Sequence, residues 1–205
     1  SHLAKRRERQ DQLIEARPFD LIVVDEAHHA RRKDFLNRDQ YRPNRLLELL
    51  QGTNGKPGLR ERTKGLLLLT ATPMQIDPIE VWDLLKLLGM GGRWGAGEDN
   101  FLNYFEQFRL PFADMDWPFM LGMMKDYLAT GGEWDARSCE RAERDVGPVV
   151  WDQIRNLPWS SNPEPTIKGL NPAGRKTLVA MARQHTPLQR YVFRNTRRLL
   201  RAYHE

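Results

Sequence analysis

Two short apolar runs organise the first half of the chain: Phe19-Asp20-Leu21-Ile22-Val23-Val24 and Gly65-Leu66-Leu67-Leu68-Leu69-Thr70. The first is unalternating and rich in β-branched residues, the second a plain leucine run. Each predicts a strand buried on both faces of a parallel sheet. Between them, residues 44–50 predict a short Leu-rich helix, and the polar, Gly-containing stretch from Gln51 to Lys64 reads as a mobile surface loop. Strand, helix, strand in this order is a βαβ unit, so the two strands are expected to be parallel and joined by a right-handed crossover. A basic amphipathic helix over residues 3–16, stopped by Arg17-Pro18, precedes the unit. After it, Asp77 is placed to cap a further helix, Pro78 takes its first position, and Glu80 completes a capping box. Val81, Leu84, Leu85 and Leu88 form its apolar face, and Gly89 ends it.

From Gly91 onward the period changes. Every tryptophan except Trp82 lies between Trp94 and Trp159, and no later run matches the two strand signals. Phe101, Tyr104, Phe105 and Phe108 recur at helical spacing, as do Trp117, Met120, Leu121, Met124 and Leu128. Both sets predict helix packing rather than a ligand box. Residues 157–172 read as a connector. Helices beginning at Pro172 and Pro187 close the chain, the second with a capping box from Thr186 and Gln189. The expected architecture is therefore a partial α/β sheet followed by an all-helical part.

Composition narrows the setting. The 205 residues, 40% hydrophobic, suffice for a real core without disulfides or metals. The single cysteine, Cys139, rules out an intrachain disulfide and points to a reducing, cytoplasmic setting, with the thiol free rather than nucleophilic. The apolar runs fall far short of the roughly 20 residues of a membrane span, so no membrane partner is expected. A net charge of +5 permits a polyanionic partner such as nucleic acid. Arg31-Arg32-Lys33 and Lys5-Arg6-Arg7-Arg9 are candidate phosphate contacts, with solvated charged faces the equal alternative.

Chemistry concentrates where the two strands end. Asp25-Glu26-Ala27-His28 follows the first strand directly, at the edge where open parallel sheets bind ligands. Adjacent carboxylates leaving a strand diverge, so they can take separate tasks. One can hold a hydrated Mg²⁺, which favours one or two carboxylates plus phosphate oxygens. The other can orient and deprotonate a water for in-line attack on a terminal phosphate. Thr70-Ala71-Thr72-Pro73 follows the second strand, and neighbouring strands would bring Thr70 and Thr72 near Asp25 and His28. Such a hydroxyl pair can sense whether triphosphate or diphosphate is held. His28-His29 lacks the spacing of a zincin, so zinc is not expected.

Together these two segments resemble motifs II and III of superfamily-two, DEAH-box helicases. Thr70-Ala71-Thr72-Pro73-Met74-Gln75, followed by a capped helix ending Asp83-Leu84-Leu85-Lys86-Leu87-Leu88, is similar to the Swi/Snf-type branch of double-stranded DNA translocases, in a bacterial version. Ile76 stands where that family usually has Asn. The segment Tyr191-Val192-Phe193-Arg194-Asn195-Thr196-Arg197-Arg198 is similar to the basic stretch ending the family's first motor lobe, with Asn195 and Arg197 in place of its usual Arg and Lys.

The resemblance implies a partial RecA-like parallel sheet of the P-loop NTPase type followed by a helical insertion. It divides the chain into the C-terminal part of a first ATPase lobe (1–90), a helical insertion (91–185) and a basic helix (186–205) leading toward a second lobe. It implies ATP and Mg²⁺ as cofactors. Asp25 would bind Mg²⁺ through water, Glu26 would position or activate the hydrolytic water, and His28 would contact the hydroxyls of the second motif. Thr70 and Thr72, with Gln75 contributing, would couple hydrolysis to movement on double-stranded DNA. No phosphate-cradling loop is found: Gly52-Thr53-Asn54-Gly55-Lys56-Pro57 has the wrong glycine spacing, and Pro57 replaces the hydroxyl. The chain alone is thus expected to be inactive, needing further lobes of the same polypeptide. The competing readings are a strand-separating DNA or RNA helicase, and a non-catalytic nucleic-acid- or protein-binding module.

Overall fold

The computed structural model describes residues 7–33, 42–53, 55–70 and 78–193. Helix α1 (Arg7–Glu15) leads into strand β1 (Phe19–Val24), followed by one turn of 3₁₀ helix, Ala27–His29. Helix α2 (Arg45–Gln51) is capped by Asn44, whose side chain accepts from the backbone N–H of Leu46 and Leu47. Strand β4 (Thr63–Leu68) then returns to pair in parallel with β1, with Ile22 opposite Leu66 and Val24 opposite Leu68. The βαβ order read from the sequence holds.

Two expectations are corrected here. The stretch from Gln51 to Lys64 is folded rather than loose. It holds a small antiparallel pair, β2 (Gly52–Thr53) and β3 (Lys56–Pro57), and a 3₁₀ turn, Leu59–Arg62. Leu59 is buried in the core, and the Arg60 guanidinium donates to the Leu87 carbonyl at 2.7 Å. Among the described residues, moreover, the strands are buried more fully on one face than on the other. Val24 is buried, and Phe19, Ile22, Leu66 and Leu68 pack partly against a core of Leu46, Leu47, Leu49, Leu50 and Leu59. Leu21 and Val23 on the opposite face are 58% and 50% exposed, and Leu67 and Leu69 beside them 46% and 43%. Leucine and valine at successive positions cannot reveal which half of them finds a cover.

Helix α3 (Pro78–Leu87) ends as Gly89 predicts. That glycine takes φ 94°, its N–H reaches the Lys86 carbonyl, and the Met90 N–H reaches that of Leu85, the paired closure of a Schellman motif. Its buried line differs from the expected one, running through Ile79, Asp83 and Leu87 with Glu80 and Leu85 beside it. Asp77, the expected cap, lies outside the described residues.

The chain divides into two compact units, Ser1–Met90 and Gly91–Glu205. Every described element of the second is helical: α4 (Gly92–Ala96), α5 (Glu98–Gln107), α6 (Trp117–Ala129), α7 (Ala136–Val146), α8 (Pro148–Asn156), α9 (Glu164–Gly169), α10 (Pro172–Gln184) and α11 (Pro187–Tyr191). Asp116, Asp135 and Asn171 cap α6, α7 and α10 through their side chains. The aromatic and methionine periods are core, as expected. Trp94 is buried, donates its indole N–H to the Met123 carbonyl at 2.9 Å, and meets the Tyr104 ring edge-on. The Tyr104 hydroxyl donates to the Ala182 carbonyl, near the end of α10 where helix carbonyls lack intrahelical partners, and burial pushes its phenol pKa up. Two details depart from expectation. Residues 157–172 are no plain connector, since they contain a 3₁₀ turn and α9, with Leu157 and Ile167 buried. Thr186 precedes α11 without a side-chain capping bond.

Candidate nucleotide-turnover site

Because β1 and β4 are parallel and in register, their carboxyl ends lie side by side. Two further backbone bonds prolong the ladder past the strands: Leu69 N–H to the Val24 carbonyl at 2.9 Å, and Ala27 N–H to the Leu69 carbonyl at 2.7 Å. These bonds bring the turn at Asp25–His28 against Thr70. Ala27 is fully buried, so the turn is anchored there while the two carboxylates that precede it face solvent. A larger side chain at position 27 would have to displace the core.

Within the turn, the Asp25 carboxylate accepts from the Glu26 N–H at 2.9 Å. Glu26 occupies the left-handed region (φ 53°, ψ 48°), the only non-glycine to do so among the described residues. That conformation costs about 1–2 kcal/mol for an L-residue, and such strain gathers at functional turns. It swings the Glu26 side chain, 48% exposed, toward His28, whose Nδ1 lies 3.2 Å from the carboxylate. The same Nδ1 lies 3.1 Å from the Thr70 hydroxyl. One imidazole nitrogen therefore stands between a carboxylate from one strand end and a hydroxyl from the other.

The structure brings Asp25, Glu26, His28 and Thr70 together at one sheet edge. Thr72 and Gln75 lie outside the described residues. Of the basic run, Arg31 and Lys33 are exposed. Arg32 is not, and its expected contact with nucleic acid does not hold for its position. Its side chain is 4% exposed and makes a two-pronged ion pair with the fully buried Asp83, Nε to Oδ2 at 2.7 Å and Nη2 to Oδ1 at 2.9 Å. Sequence reading missed two residues that hold this region. Asp83 is an acid among apolar neighbours on a helix, and that is itself the signal of a buried charge needing a partner. Asn44 donates its side-chain amide to the His29 carbonyl at 2.6 Å while capping α2. Its only sequence signal was the cap position before a leucine run.

The acidic turn offers oxygen donors of the kind a hydrated cation takes. Asp25 presents an exposed carboxylate with one oxygen engaged by backbone, and no three His, Cys, Asp or Glu side chains among the described residues converge into a metal-holding group. An Mg²⁺ that keeps most of its waters fits such a set. Elsewhere, Cys139 is free and half-buried, and burial pushes its thiol pKa up, opposite to the activation a nucleophile needs. No helix among the described residues is long and apolar enough to cross a membrane.

Fold and site thus define a class: a parallel βαβ unit whose adjoining strand ends carry an acidic pair, its second member joined through histidine to a threonine. No family model matches the chain. It is similar to the RNA polymerase-associated protein RapA of several bacteria. Identity is 43% over 86 residues with that of Vibrio vulnificus, covering 42% of this chain and 8% of the relative. It is 30% over 199 residues with that of Yersinia enterocolitica, covering 94% and 17%. With that of Vibrio cholerae it is 28% over 209 residues, covering 98% and 18%. The chain spans less than a fifth of the length of these relatives.

Proposed function

We propose that this chain is part of the first motor lobe of a Swi/Snf-type, ATP-dependent translocase on double-stranded DNA, with a RecA-like sheet carrying the site. The observation that carries the reading is the contact of His28 with both Glu26 and Thr70. An acidic turn needs no such connection to hold a cation. A motor does, because a change at the carboxylates must be felt at the following strand end. In this reading Asp25 holds a hydrated Mg²⁺, which neutralises phosphate charge when bound. Glu26 accepts a proton from the attacking water and aligns it. His28 reports the state of Glu26 to Thr70, and through it to Thr72 and Gln75. Arg31 and Lys33, both exposed, are the members of that basic run placed to touch DNA phosphates. Similarity to relatives named as RNA polymerase-associated adds a transcription complex as a candidate protein partner.

The test is Glu26→Gln in the full-length protein. ATP turnover is expected to fall to background while nucleotide binding, read by fluorescent-analogue titration, is retained. Unchanged turnover would sink the assignment. Translocation on plain duplex, set beside unwinding of a tailed duplex, separates the translocase from a strand-separating helicase.

A further inference from the structure

The segment that leaves the acidic turn is held from two sides. On the backbone side, Asn44 N–H donates to the Arg31 carbonyl at 2.9 Å, Lys33 N–H to that of Arg42 at 2.8 Å, and Arg32 bridges to Pro43. The Asn44 side chain adds its bond to the His29 carbonyl. On the side-chain side, Arg32 reaches across 51 positions of sequence to Asp83 in the middle of α3. Trp82 lies alongside, its ring 6.0 Å from the Arg32 guanidinium and 5.7 Å from the Lys86 ammonium. Residues 29–33 are thereby tied to α3 by a geometry that a planar guanidinium and a carboxylate satisfy only in one mutual orientation.

Stability alone does not call for this pair. Taking both charges out of water costs much of what their attraction returns, and apolar residues of similar volume often serve as well or better. What a forked, buried ion pair supplies that leucine and methionine cannot is a fixed direction and register. The two ends it joins are informative. One is the stretch just past Asp25, Glu26 and His28; the other is the helix that follows Thr70, Thr72 and Gln75 in the chain.

We propose that the Arg32–Asp83 pair is a positioning link, holding the acidic turn in register with α3 so that nucleotide turnover depends on it although both side chains are sealed from solvent. The inference rests on the ATPase reading of the turn. With the link intact, a displacement of α3 is passed to residues 29–33 and so to the one-turn helix that carries His28. Without it, the turn and α3 stay folded but lose their common reference, and the carboxylates no longer meet the reacting water in a fixed geometry.

The experiment uses the full-length protein and the paired substitution Arg32→Met with Asp83→Leu, which removes both charges of the pair together. The melting temperature is expected to equal or exceed that of the wild type, and KM for ATP to be unchanged. The kcat is expected to fall by roughly ten- to a hundredfold, the range that follows from misplacing a reacting group by a fraction of an ångström to an ångström. Arg32→Lys, which keeps the charge but not the fork, is expected to give an intermediate kcat, and it decides the matter should the pair fail to fold. A folded paired variant with wild-type kcat overturns the link, as does an Arg32→Lys protein that is folded and fully active where the pair is not folded. The Glu26→Gln control separates the layers. If that substitution leaves turnover intact, the ATPase reading falls and the link with it; if it stops turnover while the paired variant is unslowed, the link alone falls.

Discussion

Glu26 illustrates how much of this site is decided by a single backbone angle. A left-handed residue reverses the chain sharply enough to begin a 3₁₀ turn straight after a strand, and it presents the carboxylate to His28 at the same time. Glycine adopts that conformation freely, so the strain can be measured apart from the chemistry. We expect Glu26→Gly to be more stable than Glu26→Ala by about 1 kcal/mol, read from urea midpoints of the two variants. Equal midpoints, or a more stable alanine variant, would show that position 26 is not held left-handed. The acidic pair, the histidine and the first threonine were all legible as residue types at strand ends, because a parallel sheet gathers strand ends into one place. The left-handed turn was not, since nothing in Glu-Ala-His asks for a positive φ. Nor was the burial of Arg32: three consecutive basic residues look alike until the fold gives one of them a carboxylate.

At the scale of elements, the second unit is tied together by its helix ends. His185, at the C-cap of α10, is fully buried; its Nε2 accepts from the Asp135 N–H at 3.0 Å, and its Nδ1 lies 2.8 Å from the Met181 carbonyl. These partners specify the neutral ring with its proton on Nδ1. A second proton would turn the Nε2 acceptor into a donor facing the Asp135 N–H. Desolvation accordingly holds the pKa of His185 below its ordinary 6.5, against the opposing pulls of the Met181 carbonyl and the nearby Asp135 carboxylate. Because the folded pKa is the lower one, the unfolded chain binds more protons between the two values, and stability rises with pH there. The contribution is complete above about 6.5 and is lost as pH falls below it toward the folded value. Thermal unfolding followed by tryptophan fluorescence should show this, since Trp134 lies 4.6 Å from the imidazole. His185→Asn should flatten the slope between pH 7 and the folded pKa; an equally steep variant would remove His185 as the cause. Helices in this unit were legible because their apolar periods and Asp, Asn and Pro start signals agree. The short elements were not: α9 and the 52–57 hairpin bury too few side chains to leave a period, and Leu59 is a lone apolar residue among charges.

At the scale of the whole molecule, the two units differ in how completely they cover themselves. The second closes its aromatic core around Trp94, Phe101 and Tyr104. The first leaves a strip of Leu21, Val23, Leu67 and Leu69 half-exposed among its described residues, on a parallel sheet of the kind that globular proteins almost always cover on both faces. An apolar strip of this kind favours contact with any other apolar surface, including its own copy on a neighbouring molecule. Val23 and Leu67 sit directly opposite each other in the register, so Val23→Glu with Leu67→Lys places complementary charges side by side without touching the covered face. In the 205-residue chain this pair is expected to reduce concentration-dependent association, measured by light scattering, with an unchanged helical circular-dichroism spectrum. Association that persists undiminished would mean that molecules meet through another surface. The same substitutions in a longer polypeptide carry the opposite expectation. If part of that polypeptide covers the strip, two charges would be buried beneath it and the protein would be destabilised. A gain in the short chain together with a loss in the long one identifies the strip as an internal face of the larger protein, and a gain in both identifies it as a true outer surface.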